Sequence, residues 1–203
     1  MKKLALILGA LFSIAYASSY NYPTTSQPTV NPGRILAAGE HQIFGLTSDG
    51  TIELQNMAKF KVHPSDVNVM RYWEIYDHIT FTPNSNPLAT SEFYVTNLDR
   101  NGEYVRADLF GGPFYDHPAT DRIDYIDFTN CEVVLVNANS YRTRWAVEPG
   151  DMHLLKSCQR GETALIGTND NWFSWVLSSA PYVLVSYENT EFFPYVRCTP
   201  KPY

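Results

Sequence analysis

The chain holds 203 residues, with a formal net charge of −6, 44% apolar residues and 14% aromatic residues. That length supports one or two domains with cores of their own. Its 15 Lys and Arg form no basic run against 21 Asp and Glu, which argues against nucleic acid as a partner and against electrostatic docking on an anionic membrane.

Residues 1–17 read as a cleavable secretory signal. Lys2 and Lys3 make a positive start, Leu4 to Ile14 an apolar core, and Ala15-Tyr16-Ala17 the small residues of a cleavage site. The apolar run falls short of the roughly 18 residues that a membrane-spanning helix needs, and no Cys follows to carry a lipid anchor. The expectation is an exported bacterial protein, periplasmic, in the cell envelope or extracellular, with no membrane span after cleavage. Cleavage would leave 203 − 17 = 186 residues, with 15 − 2 = 13 basic against 21 acidic residues and a net charge of −8. Ser18 to Arg34 is rich in Pro, Ser, Thr and Asn, with little apolar mass to offset the entropy of ordering. Residues 18–34 therefore read as a flexible leader.

From there the chain reads twice over. Phe60 to Asn86 (FKVHPSDVNVMRYWEIYDHITFTPNSN) aligns without a gap to Trp145 to Asn171 (WAVEPGDMHLLKSCQRGETALIGTNDN). Val62 meets Val147, Pro64 meets Pro149, Asp66 meets Asp151, Asn84 meets Asn169 and Asn86 meets Asn171. Character also matches at Val67/Met152, Met70/Leu155, Asp77/Glu162 and Phe81/Ile166. The flanks agree: Ser48-Asp49-Gly50 before TIEL corresponds to Thr129-Asn130-Cys131 before EVVL, and Tyr104-Val105-Arg106 to Tyr195-Val196-Arg197. Such matching order marks a duplicated structural unit.

Within the first copy, Ser48-Asp49-Gly50 is turn chemistry for a hairpin. A strand at Phe60 to Val62 ends at Pro64, where Ser65 or Asp66 is placed to cap a short helix. Val67, Met70 and Trp73 give that helix one buried stripe, repeated as Met152, Leu155 and Cys158. Strands follow at Ile79–Thr82, Phe93–Asn97 and Tyr104–Leu109, and in the second copy at Thr163–Ile166, Tyr182–Ser186 and Phe193–Arg197. Short strands bounded by Asn, Asp, Gly and Pro belong to antiparallel sheets. The fold expected is mainly β: two tandem diverged antiparallel units, each with one short helix. Unit 1 covers 35–110, a Gly/Pro-rich linker 111–121, unit 2 covers 122–198, and 199–203 read as a frayed tail.

Trp73-x-x-x-Asp77-x-Ile79, Thr168-Asn169-Asp170-Asn171-Trp172-Phe173-Ser174 and the closing Tyr-Val-Arg resemble repeats in a family of uncharacterised exported β-rich proteins of intracellular Gram-negative bacteria. The resemblance spans most of Phe44 to Cys198 and implies a repeat, with no activity to carry over. The chain departs from the pattern where Tyr76 replaces a turn Gly that Gly161 keeps, and where Cys158 replaces a second Trp. A tyrosine is costly at positive φ, so the two turns are expected to differ.

Among candidates for chemistry, Asp66 and Asp151 could share a proton across a pseudo-dyad. Each nonetheless precedes a helix stripe, where a carboxylate serves as a cap. Asp116, His117, Asp121, Asp124 and Asp127 are oxygen-rich but lack the spacing of a calcium loop. His41, His63, His78, His117 and His153 show no zinc-ligand spacing, and no nucleophile elbow or phosphate loop occurs. No cofactor, metal or catalytic residue is expected. Cys131, Cys158 and Cys198 leave open one disulfide of three pairings, or a buried apolar role for all three. Trp172, Phe173 and Trp175 stand in an insertion that the first copy lacks, and are the candidate binding residues. The function expected is binding of a protein or carbohydrate, or a role in envelope or surface structure. The alternative is a secreted hydrolase with a site between the repeats.

Overall fold

A computed structural model of the chain describes residues 36–86, 88–170, 178–188 and 195–202. The signal, the leader, and the candidates Trp172, Phe173 and Trp175 lie outside the described residues.

Strands β1 (His41–Leu46), β2 (Thr51–Leu54), β3 (Lys59–Val62), β4 (His78–Pro83), β5 (Phe93–Asn97) and β6 (Glu103–Gly111) form one closed barrel in the order β1-β2-β3-β6-β5-β4. Strands β7 (Asp121–Asp127), β8 (Glu132–Asn137), β9 (Arg142–Val147), β10 (Thr163–Thr168), β11 (Tyr182–Ser186) and β12 (Tyr195–Lys201) close a second in the equivalent order. All strand pairs are antiparallel, as short runs between turn residues require. Closure removes the unpaired edges that so many short strands would otherwise expose. One short helix follows the third strand of each barrel: α1 (Val67–Met70) in the first and a 3-10 helix (Pro149–Ser157) in the second.

The duplication extends to individual hydrogen bonds. Val62 N–H donates to Gly50 O and Val147 N–H to Cys131 O; His63 N–H donates to Arg106 O and Glu148 N–H to Arg197 O. Asn84 N–H reaches Glu92 O, and Asn169 N–H reaches Pro181 O. Both first strands carry a bulge at the same place, between Ile43 and Gly45 and between Ile123 and Tyr125. The turn at Tyr76 corrects the sequence expectation. Tyr76 has φ 76° and Gly161 has φ 93°, so both copies use the left-handed conformation. The reason is register: the N–H of Tyr76 must reach Ile43 O, just as that of Gly161 reaches Ile123 O. The tyrosine therefore sits under backbone strain.

Two cores fill the barrels. In the first, Phe60, Phe81 and Phe93 pack with ring centroids 5.4–5.9 Å apart. In the second, Trp145 and Tyr182 occupy the places of Phe60 and Phe93 and meet edge to face at 5.7 Å. Strand β10 is buried on both sides. Ala164 and Ile166 point into its own barrel, while Leu165 joins the core of the other, as do Val183 and Val185 of β11. Strands β4 and β10 thus form the seam, where the Thr82 and Thr168 hydroxyls lie 3.0 Å apart. Gly167 lets the backbones close, since a β-carbon there would overlap the Phe81 carbonyl oxygen.

The C-terminal residues also depart from the sequence reading. Thr199, Pro200 and Lys201 continue β12 beside β9, opposite Ala146, Trp145 and Arg144, and Lys201 Nζ pairs with Glu132. Barrel closure needs a partner along the whole of β9, and this segment supplies it. None of the three cysteines is in a disulfide; all pack on the second core, Cys198 fully buried.

Candidate functional site

The paired aspartates have a different role from the capping expected of them. Neither helix N-terminus is capped by a side chain. Asp66 Oδ2 accepts from Arg106 N–H (3.0 Å) and Nε (2.8 Å), and its Oδ1 accepts from Arg106 Nη2 (2.8 Å). Asp151 repeats this atom for atom on Arg197, at 2.9, 2.8 and 2.7 Å. The bidentate geometry explains why Tyr-Val-Arg closes both copies: each arginine ties the last strand of its barrel to the loop after the third. The hydrogen bonds from Arg106 hold the Asp66 carboxyl below the usual range. Burial opposes the same effect at Asp151, but the bonds from Arg197 outweigh it. Both carboxylates are therefore ionised and engaged, which removes them as a proton-sharing pair.

Two further carboxylates recur as struts. Asp77 accepts from Asn97 Nδ2 at 2.8 Å, and Glu162 from Ser186 Oγ at 2.8 Å. Asp99 receives the N–H and Nδ1 of His78, while Glu188 receives the N–H and hydroxyl of Thr163. His63 Nδ1 stands 2.9 Å from Ser65 Oγ, a contact with no counterpart at Glu148 and Gly150. Ser65 Oγ also lies 2.7 Å from Asp66 Oδ1 and accepts from Arg106 Nη2 at 2.5 Å. Its single proton belongs on the charged acceptor, so this hydroxyl is a brace for the ion pair.

The oxygen-rich stretch Asp116–Asp127 is dispersed. Asp124 pairs with Arg142 and Arg160, Asp127 accepts from the turn amides of Thr129 and Asn130, and His117 Nδ1 accepts from Ala119 N–H. Among the described residues, no cluster of three His, Cys, Asp or Glu could hold a metal ion.

Asp121 stands apart from that stretch. It opens β7 and lines a cavity of about 230 Å³ between the barrels, together with His41, which opens β1. The two are counterparts in the repeat, for His41 pairs with Ile79 and Asp121 with Ala164. The duplication thus brings one position of each copy to one space. Thr143, Trp145, Asn56 and Glu40 complete the walls that matter for chemistry.

His41 Nε2 lies 2.7 Å from Ile166 O across the seam. A carbonyl only accepts, so Nε2 carries the proton and Nδ1 presents a lone pair. Burial lowers the His41 pKa, against the opposing effect of that bond, and the ring is neutral at pH 7. It is held by stacking on Phe81 at 5.5 Å. Burial pushes the Asp121 carboxyl up to about 6, and it makes no hydrogen bond among the described residues. Two groups of shifted pKa lining one cavity mark it as a candidate functional site.

In the sequence His41 and Asp121 were members of larger sets with no spacing to single them out. The signal that could have found them is their shared register at the start of each copy, beside Ile43 and Ile123.

The fold is a double six-stranded antiparallel barrel with a cavity between the barrels. No protein-family model, curated protein or solved structure matches the chain.

Proposed function

We propose that the chain is an exported binding protein of the bacterial periplasm, envelope or medium, taking its ligand in the cleft between its two barrels. The observation that carries this reading is the cavity of about 230 Å³ walled by both copies, somewhat below the ~300–1,000 Å³ common for drug-sized ligands and so suited to a smaller one. The signal-like start supports export, and no helix among the described residues is long and apolar enough to cross a membrane. Trp172, Phe173 and Trp175 remain candidates for a wider contact with a protein or carbohydrate.

The test uses Ala119→Trp, which places an indole at an exposed position on the cavity wall. Saturation-transfer NMR with mixtures of amines, amino acids and monosaccharides should give signals in the wild type that this variant loses. If no solute gives a signal sensitive to Ala119→Trp, the cleft is not a binding site.

A secreted hydrolase with its site between the repeats is the second reading, favoured by two groups of shifted pKa in one cavity. Hydrolysis of purified peptidoglycan that both His41→Gln and Asp121→Asn abolish would replace the binding reading.

A further inference from the structure

We infer that the cleft takes a small organic cation, a primary amine seated on the Asp121 carboxylate with the Trp145 indole beside it. This rests on the reading of the cleft as a binding site and adds the chemistry of the ligand.

The charge on the described walls is negative. Asp121 supplies a carboxylate, and the described lining contains no Lys or Arg. His41 contributes a further acceptor at Nδ1, because its Nε2 proton is committed to Ile166 O. An anionic ligand would meet the Asp121 charge with no Lys or Arg among the described lining residues to offset it. A neutral ligand would leave that charge uncompensated. An ammonium group instead forms charge-assisted hydrogen bonds to the carboxylate. A carboxylate accepts at both oxygens, so a group with several N–H donors suits it. The volume restricts the ligand to a handful of heavy atoms.

Three probes of similar length separate charge from shape: 1,4-diaminobutane, 1,4-butanediol and succinate, titrated calorimetrically into the purified full chain at pH 7.5. The diamine should bind at least tenfold more tightly than the diol, and succinate should bind more weakly still. Asp121→Asn should weaken the diamine by roughly tenfold to a hundredfold. Diol or succinate binding as tight as the diamine, or diamine binding unchanged in Asp121→Asn, overturns the inference. In that event, binding of any probe that Ala119→Trp abolishes leaves the cleft reading standing with another ligand class. Absence of binding by all three overturns the inference as well, and the wider solute mixtures then decide the cleft reading by themselves.

Discussion

Replacing Asp121 with Asn should make the protein more stable, with a gain that grows from about pH 4 and levels off above pH 6. The Asp121 carboxyl titrates near 6 in the folded chain against an ordinary 3.8, because burial disfavours its charge. The sign follows from linkage. A raised folded pKa means that the native state holds a proton which the unfolded chain has released, so stability falls as pH rises from 3.8 through 6. The penalty levels off above that window. A difference of 6 − 3.8 = 2.2 units, at about 1.4 kcal/mol each, puts the full cost near 3 kcal/mol as an upper bound. At pH 4 the same arithmetic leaves only about 0.5 kcal/mol. Asn keeps the shape and removes the charge. Urea denaturation should therefore show Asp121→Asn ahead of wild type by about 2–3 kcal/mol at pH 8, and the two nearly equal at pH 4. His41 titrates in both proteins, so the difference between them isolates Asp121. Equal stabilities at pH 8, or a gap that does not close towards pH 4, would refute an uncompensated carboxylate in the cleft.

Four other substitutions probe the frame. Asp151→Ala removes three hydrogen bonds to Arg197 and should cost about 2–3 kcal/mol in urea denaturation; a loss below about 0.5 kcal/mol would make the clamp incidental. Tyr76→Gly relieves a side chain held at φ 76° and should gain about 0.5–1 kcal/mol after the extra freedom of glycine in the unfolded chain is set against it. Gly161→Ala, at φ 93°, should lose about 1 kcal/mol, and a neutral result would place the strain elsewhere. Gly167→Ala drives a methyl group into Phe81 at the seam and should cost about 1–3 kcal/mol. Heteronuclear NMR should locate its largest shifts in β4 and β10, and shifts confined to the second barrel would contradict the close approach.

The repeat was legible because its signals are local. Pro64 and Pro149 stop strands, Asn84 and Asn169 turn the chain, and Tyr-Val-Arg closes each unit, all within stretches a reader can align. Strand positions followed from the same punctuation, with Phe93–Asn97 and Tyr182–Ser186 falling where the structure has them. The role of Asp66 and Asp151 was not legible. Their partners lie 40 and 46 residues downstream, whereas a capping role needs only the next turn and so looked sufficient. The tail was misjudged for a similar reason: Thr199 to Lys201 carry no strong strand propensity, and only barrel closure makes them a strand.

By itself the sequence determined that this is a twofold β protein with short strands, one short helix per copy and an acidic, aromatic-rich composition. Periodicity, turn chemistry and an internal match are properties of neighbouring residues, so they survive without coordinates. Tertiary structure decided how six strands close into a barrel, which arginine each aspartate holds, and that His41 and Asp121, 80 residues apart, share one cavity. Those facts depend on which surfaces the two barrels bury against each other. Burial is also what shifts both pKa values, so the chemistry of the cleft exists only in the folded chain.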